Sequence, residues 1–228
     1  MKRRSGTAGT TGKKKVLLVD DHPVMREGLA VLINLQTDLM VCGEAESAAQ
    51  ALASVGEKKP DIVLVDISLE GRGGLDLIKD LHAQSPRLPT LVLSMHDEGL
   101  YAERALRAGA RGYIMKRQSS QNLLEGIRRV LNGQYYFSER ISAQMLDLAA
   151  RGRSQATPTP IELLSNRELE VFQMIGRGQN TREVARKLNL SIKTIASHRE
   201  NLKRKLQLSN AAELVRNAIH WAKEHQIE

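Results

Sequence analysis

Five short apolar runs, each followed by an amphipathic stretch, constrain the N-terminal two thirds of this chain more than any other feature. The runs cover residues 16–19, 39–42, 62–65, 90–93 and 112–115; the stretches between and after them, 23–35, 47–55, 74–81, 100–108 and 120–131, carry helical periodicity. A strand apolar at every position must be buried on both faces, and alternation with helices supplies the cover. The pattern predicts an α/β fold with a five-stranded parallel sheet and helices on both sides. In such sheets ligands sit beyond the carboxyl ends of the strands.

The remainder reads differently. Residues 138–150 form a helical pattern, and RGRSQATPTP at 151–160 is polar with Pro158 and Pro160, marking the boundary between two units. Four short helical patterns follow at 167–175, 181–188, 192–206 and 211–223. Ser165, Thr181 and Ser191 stand at helix starts, and of these only Ser165 with Glu168 completes a capping box. The expected organisation is a basic disordered tail (1–14), an α/β domain (15–132), a linker with a helix (133–162) and a small all-α domain (163–228).

Charge is unevenly spread. Residues 13–137 hold 16 Lys and Arg against 16 Asp and Glu, whereas 161–228 hold 12 against 8, within a whole-chain net charge of +8. The helix predicted at 192–206 carries Lys193, Arg199, Lys203, Arg204 and Lys205 against Glu200 alone. Basicity focused on one element of a small domain points to nucleic acid, with a solvated charged face as the competing reading. The chain has no apolar run long enough to span a membrane, and Arg3-Arg4 lacks the apolar segment of an export signal, so a cytoplasmic protein is expected. The single cysteine, Cys42, excludes an internal disulfide and reads as a small buried hydrophobe.

The chemistry-bearing residues lie at strand ends. Asp20 and Asp21 follow the first strand, Asp66 ends the third, Ser94 the fourth, and Lys116 follows the fifth. Parallel strands bring these side chains into one cleft, where three carboxylates repel one another unless a hard cation joins them. Mg²⁺ suits such a set, because it takes carboxylate oxygens and keeps several waters. One carboxylate could then attack a phosphoryl donor while Ser94 and Lys116 hold the phosphoryl oxygens. Simple strand-ending caps are the plainer alternative for any one of these aspartates. His22, His82 and His96 have no metal-ligand spacing among themselves, and His96 is expected at the surface.

On VDDH at 19–22, LVDISLEGRGG at 64–74, LSMHD at 93–97 and GYIMK at 112–116, residues 16–132 resemble a response-regulator receiver domain, with its flavodoxin-like fold. The resemblance implies Asp66 as phospho-acceptor and Asp20 and Asp21 as an acidic Mg²⁺ pair. It further implies Ser94 as switch hydroxyl, Lys116 as phosphate-binding lysine, Tyr113 as the aromatic that moves on activation, and the Ser68 backbone carbonyl as a metal ligand. Two positions depart from many relatives: Glu70 stands where proline is common, and Met95 replaces a small residue after Ser94.

In the basic unit, Ile192, Ile195, Leu202 and Leu206 share one side of a helix, a seam expected to face the core with His198 between. Lys193, Ser197, Glu200, Asn201 and Arg204 lie opposite, on the candidate reading surface; Thr194 and Lys203 complete the candidate DNA-contacting set. Residues 163–223, through LSNRELEVFQMIGRGQNTREVARKLNLSIKTIASHRENLKRKL, resemble the LuxR-type helix-turn-helix of the NarL/FixJ response regulators. That resemblance implies a two-component transcription regulator with a sensor histidine kinase and double-stranded DNA as partners, a homodimer when phosphorylated, and contact with RNA polymerase as an option. It implies no enzymatic role beyond accepting and losing the phosphoryl group. Leu214, Ala218 and Trp221 form a stripe on the last helix, the element that pairs two domains in that family. Three readings stay open on the residues alone: DNA binding, an output made through protein contact, and a Mg²⁺-dependent phosphatase with Asp66 as nucleophile, which lacks an acid at Ser68.

Overall fold

The computed structural model describes residues 12–69, 73–96, 98–150 and 159–224. Most of the basic tail, Glu70 with Gly71, and residues 151–158 of the expected linker lie outside the described residues. Strands β1 (Lys14–Val19), β2 (Leu39–Ala45), β3 (Ile62–Asp66), β4 (Thr90–Ser94) and β5 (Gly112–Met115) form one parallel sheet in the order β2-β1-β3-β4-β5. Helices α1 (Pro23–Asn34), α2 (Ala48–Lys58), α3 (Gly74–Gln84), α4 (Glu98–Ala108) and α5 (Ser120–Leu131) connect and cover it. The first strand begins at Lys14, so the expected tail overruns the structure: the Lys15 N–H donates to Asp61 at 2.8 Å and Lys14 pairs with the same carboxylate at 2.9 Å.

The continuous apolar runs are explained by two cores. Leu17, Val19, Val63, Val65 and Val92 point to one face, while Val16, Leu18, Ile62, Leu64, Leu91 and Leu93 point to the other. Successive side chains alternate across a strand, so a run buried at every position demands helices on both sides. Cys42 is only half-buried against the first core, because β2 is an edge strand; burial pushes its thiol pKa up.

Helix α6 (Glu139–Ala150) follows a segment that extends the sheet: the Tyr113 N–H donates to the Tyr136 carbonyl and the Tyr136 N–H to the Arg111 carbonyl, both at 2.9 Å. Beyond it, α7 (Asn166–Gly176), α8 (Thr181–Lys187), α9 (Ile192–Lys205) and α10 (Ala211–Glu224) build a small helical unit. Its core gathers Leu169, Phe172, Val184, Ile195, Leu202, Leu214 and Trp221, with the Phe172 and Trp221 rings 5.4 Å apart. The stripe of Leu214, Ala218 and Trp221 is consumed here: a Cβ on Gly176 would meet the Ala218 carbonyl at 2.6 Å. Between α8 and α9 the chain turns at Asn189, whose φ of 49° lies in the left-handed region that asparagine tolerates.

Two expectations about this unit need correction. Ser165–Glu168 does form a capping box, but so does Asn180 with Glu183; Asn180, not Thr181, caps α8. Ile192 is 53% exposed and does not join the core seam, because as the first residue of α9 it stands above the facing helices. Among the described residues, no helix is long and apolar enough to cross a membrane.

Glu168 ties α7 to α9. It is buried, donates nothing, and accepts from Lys205 at 2.6 Å and from the Ser165 N–H at 2.8 Å. Burial alone would raise its pKa, but Lys205 and Ser165 outweigh burial and hold it below the ordinary 4.5. A depressed carboxyl stabilises the fold above its unfolded pKa, and the contribution disappears as pH falls through the folded value. Glu168→Gln should therefore cost about 1–2 kcal/mol at neutral pH, a penalty that urea titrations should show vanishing on acidification below the folded pKa.

Candidate phosphoacceptor cleft and DNA-reading helix

The strand order places a connection reversal between β1 and β3, and their carboxyl ends open a crevice there. Asp20 and Asp66, each 2% exposed, sit at those ends, and Lys116 follows β5. The Lys116 Nζ lies 2.6 Å from both Asp20 Oδ2 and Asp66 Oδ2, with its side chain 4% exposed. Asp21 stands beside them, and one ligand atom from each of Asp20, Asp21, His22 and Asp66 falls within 4.8 Å of the others. The three carboxylates around one point form an oxygen donor set that fits a hard divalent cation, with the His22 imidazole beside them.

Local backbone fixes the loop after β3. The Ser68 N–H donates to Asp66 Oδ1 at 2.9 Å, turning the chain immediately after β3. Gly74, at the first turn of α3, lies so close that a Cβ would collide with the Asp66 carbonyl and the Ile67 Cα. Ser94 is fully buried at the end of β4, its Oγ accepting the His96 N–H at 3.0 Å. Tyr113 is turned inward, its hydroxyl donating to the His96 carbonyl at 3.0 Å. Met95 projects outward at 69% exposure and lines an open cavity beside Asp66.

The electrostatics follow from burial. Desolvation pushes the Asp66 carboxyl above its ordinary value, against the opposing pull of Lys116 and the Ser68 N–H. Desolvation works against the Lys116 ammonium, but Asp66 and Asp20 together more than compensate and keep it protonated. The site thus gathers buried carboxylates around the Lys116 ammonium, with the Arg26 guanidinium donating to the Asp20 carbonyl at 2.6 Å.

In the helical unit, Lys193, Ser197, Glu200 and Arg204 are exposed on one face of α9 as predicted, with Thr194, Asn201 and Lys203 half-buried at its edges. Arg204 donates to Asn201 Oδ1 at 3.0 Å and Lys203 pairs with Glu200 at 2.9 Å, so these side chains already form a polar surface network. Lys205 is not part of that face, being engaged with Glu168. His198 is half-buried toward α7, and desolvation lowers its pKa.

Two residues of the cleft escaped the sequence reading. His22 joins the acidic cluster, its Nδ1 2.8 Å from Asp21 Oδ1 and 3.2 Å from Asp20 Oδ1. Its position directly after the aspartate pair was the available signal. His96, expected at the surface, is half-buried: its Nε2 is 3.2 Å from Ser68 Oγ, its ring stacks on Tyr101 at 4.7 Å, and burial lowers its pKa to about 4. Both partners come from tertiary packing, which no local pattern announces.

A carboxyl raised on folding lowers stability as pH climbs from the unfolded value, 3.8, through the folded one. Replacing Asp66 by Asn removes that burden and leaves Lys116 its bond to Asp20. Asp66→Asn should therefore unfold at higher urea than the parent at neutral pH, and at the same urea below the ordinary carboxylate pKa. A lower midpoint at neutral pH would contradict the assigned balance of burial over pairing.

Likeness to known proteins agrees with this geometry. Residues 16–128 match the family described as "Response regulator receiver domain", and residues 162–218 match "Bacterial regulatory proteins, luxR family". The oxygen regulatory protein NreC of Staphylococcus aureus is 34% identical over 209 residues, spanning 90% of this chain and 96% of its own. A LuxR-family two-component response regulator from Aurantimonas is 32% identical over 60% of this chain and 97% of its own, with a TM-score of 0.56. A structure of two RcsB dimers bound to two parallel DNAs is 25% identical over 92% of this chain and 98% of its own, with a TM-score of 0.55. A buried aspartate cleft at the ends of a parallel sheet, followed by an exposed basic helix in a helix-turn-helix, is thus the arrangement of a lineage: the chain belongs to the NarL-family response regulators, DNA-binding proteins with a receiver domain and a LuxR-type helix-turn-helix.

Proposed function

We propose that Asp66 is the phospho-acceptor, that Asp20, Asp21, Asp66 and the Ser68 backbone carbonyl hold Mg²⁺, and that α9 reads duplex DNA. The observation that carries this reading is the joint contact of Lys116 with Asp20 and Asp66 at buried strand ends. When bound, the cation supplies neutralisation of the carboxylates and of the incoming phosphoryl oxygens. An Asp66 oxygen attacks phosphorus, the bond from phosphorus to the donor atom breaks, and the donor leaves with the electron pair. Lys116 and Ser94 are placed to hold phosphoryl oxygens by charge and hydrogen bond. Ser94 moving toward the new group draws on its 3.0 Å bond from the His96 N–H, and through the His96 carbonyl on the Tyr113 hydroxyl that donates to it, which is how the added charge alters the surface after β4.

In this reading residues 15–132 are the receiver, 133–162 the linker and 163–228 the DNA-binding domain. A sensor histidine kinase donates the phosphoryl group in the cytoplasm, and the chain itself only accepts it and loses it to water. The RcsB structure, with dimers on DNA, supports a homodimer on duplex as the active form. Lys193, Thr194, Ser197, Glu200, Asn201, Lys203 and Arg204 form the DNA-contacting set. With Leu214, Ala218 and Trp221 inside the helical core, pairing through α10 uses its other side, where Arg216 and Asn217 are exposed.

Acetyl phosphate and Mg²⁺ should add one phosphoryl mass to the full chain but not to Asp66→Ala, and raise both the dimer fraction and duplex affinity. Modification without any duplex binding at low salt would assign the output to a protein contact instead. On a library of sites, Arg204→Ala should weaken all sequences alike, as loss of a phosphate contact does, whereas Glu200→Ala should shift base preference. Equal losses on every site for both variants would refute that division.

A further inference from the structure

The second hydrophobic core of the α/β domain does not close between α1 and α5. A cavity of about 650 Å³ opens there and reaches the acidic cleft, where Asp66, Ser68 and Lys116 line one end. The rest of its wall is predominantly apolar. Leu93, Ile114 and Leu123, all buried in that core, form its deepest part, with half-buried Met25 and Leu29 of α1 on one side and exposed Met95 at the rim.

Gly28 makes the opening a property of α1. It stands exposed near the middle of the helix, where glycine destabilises relative to alanine because it loses more backbone freedom on folding. Neither conformation nor packing requires it: its φ is outside the left-handed region, and a Cβ built there meets nothing within 4 Å. What the missing side chain leaves is room over the cavity, which Gly28 lines.

Two ends of different chemistry in one cavity select an amphipathic ligand. The Lys116 ammonium, 2.6 Å from Asp66, supplies positive charge for phosphoryl oxygens, and the apolar wall suits whatever is attached to that phosphoryl group. In phosphoryl transfer the leaving oxygen lies roughly in line with the attacking one, so the donor's remainder extends away from Asp66. The cavity is the space that begins at Asp66 and continues between α1 and α5. Met25 and Met95 line it with unbranched, polarisable side chains that adapt to a flexible alkyl chain.

We infer that this cavity is a leaving-group subsite for the alkyl chain of an acyl phosphate, so that butyryl and hexanoyl phosphates phosphorylate Asp66 faster than acetyl phosphate. The inference rests on Asp66 being the acceptor. The step is the same for each donor: an Asp66 oxygen bonds phosphorus, the bond from phosphorus to the acyl oxygen breaks, and the carboxylate leaves with the electron pair.

The full chain can be compared on acetyl, butyryl and hexanoyl phosphates with Mg²⁺, by intact mass so that gain of a phosphoryl group is told from gain of an acyl group. Straight-chain carboxylates leave with nearly equal basicity, so the ratio of second-order rates reads contact with the chain. At about twofold per half-buried methylene, hexanoyl phosphate should react roughly tenfold faster than acetyl phosphate. Gly28→Phe fills the space over the cavity, and Met25→Gln makes its wall polar at similar volume; thermal melts verify that both are folded. Each should bring the ratio close to one while uptake from acetyl phosphate stays within about twofold of the parent. Equal parent rates on all three donors overturn the subsite and leave this face to a macromolecular partner. A preference that survives in both variants, or a gain of acyl mass in place of phosphoryl, overturns it as well. A parent that takes up a phosphoryl group from no donor instead overturns the assignment of Asp66.

Discussion

The contact of one buried ammonium with two buried carboxylates organises this molecule. Lys116 reaches Asp20 and Asp66 only because β1, β3 and β5 run in the same direction and end at the same level. Parallel topology makes the convergence unavoidable; the price is like charge in a desolvated crevice. Deleting the ammonium would leave two buried carboxylates uncompensated, which is far costlier than losing a surface ion pair. The same imbalance that burdens the fold favours a hard cation among these carboxylates, so stability and ion affinity depend on the same few atoms.

The basic residues of the helical unit divide into two kinds. Lys205 and Arg167 are spent internally, the first on Glu168 and the second on Glu170 and the Leu188 carbonyl. Lys193 and Arg204 stand in solvent on α9. Net charge therefore overstates the electrostatic reach of this helix toward a phosphate backbone, and the contacts that position it on a duplex must come from a smaller set than the sequence suggests.

The sheet, the order of helices and the acidic cleft were legible because they rest on local signals: apolar runs at every strand, and polar residues at every strand end. Helix boundaries followed within a few residues, with β2 extended through Ala45 and α4 starting at Glu98. The Asn180–Glu183 box is a local signal, three residues apart directly before the helix expected from 181, and was legible in principle. What escaped otherwise depends on distant partners: His96 is half-buried with Tyr101 stacked on it and Ser68 at its Nε2, and the exposure of Ile192 at the start of α9 is set by packing that helical periodicity does not report. The docking of Tyr101 on Gln173 joins positions 72 residues apart and has no counterpart in any periodicity.

The backbone bonds between Tyr136 and the strand at 111–113 make the exit from the receiver part of its sheet. They also cover the β5 edge, which would otherwise be a template for another chain. Mechanically, the segment leading to the helical unit is riveted to the strand that carries Tyr113 and precedes Lys116. Tension on that segment is passed to β5, so movement of the helical unit and displacement of Lys116 are mechanically linked through that strand.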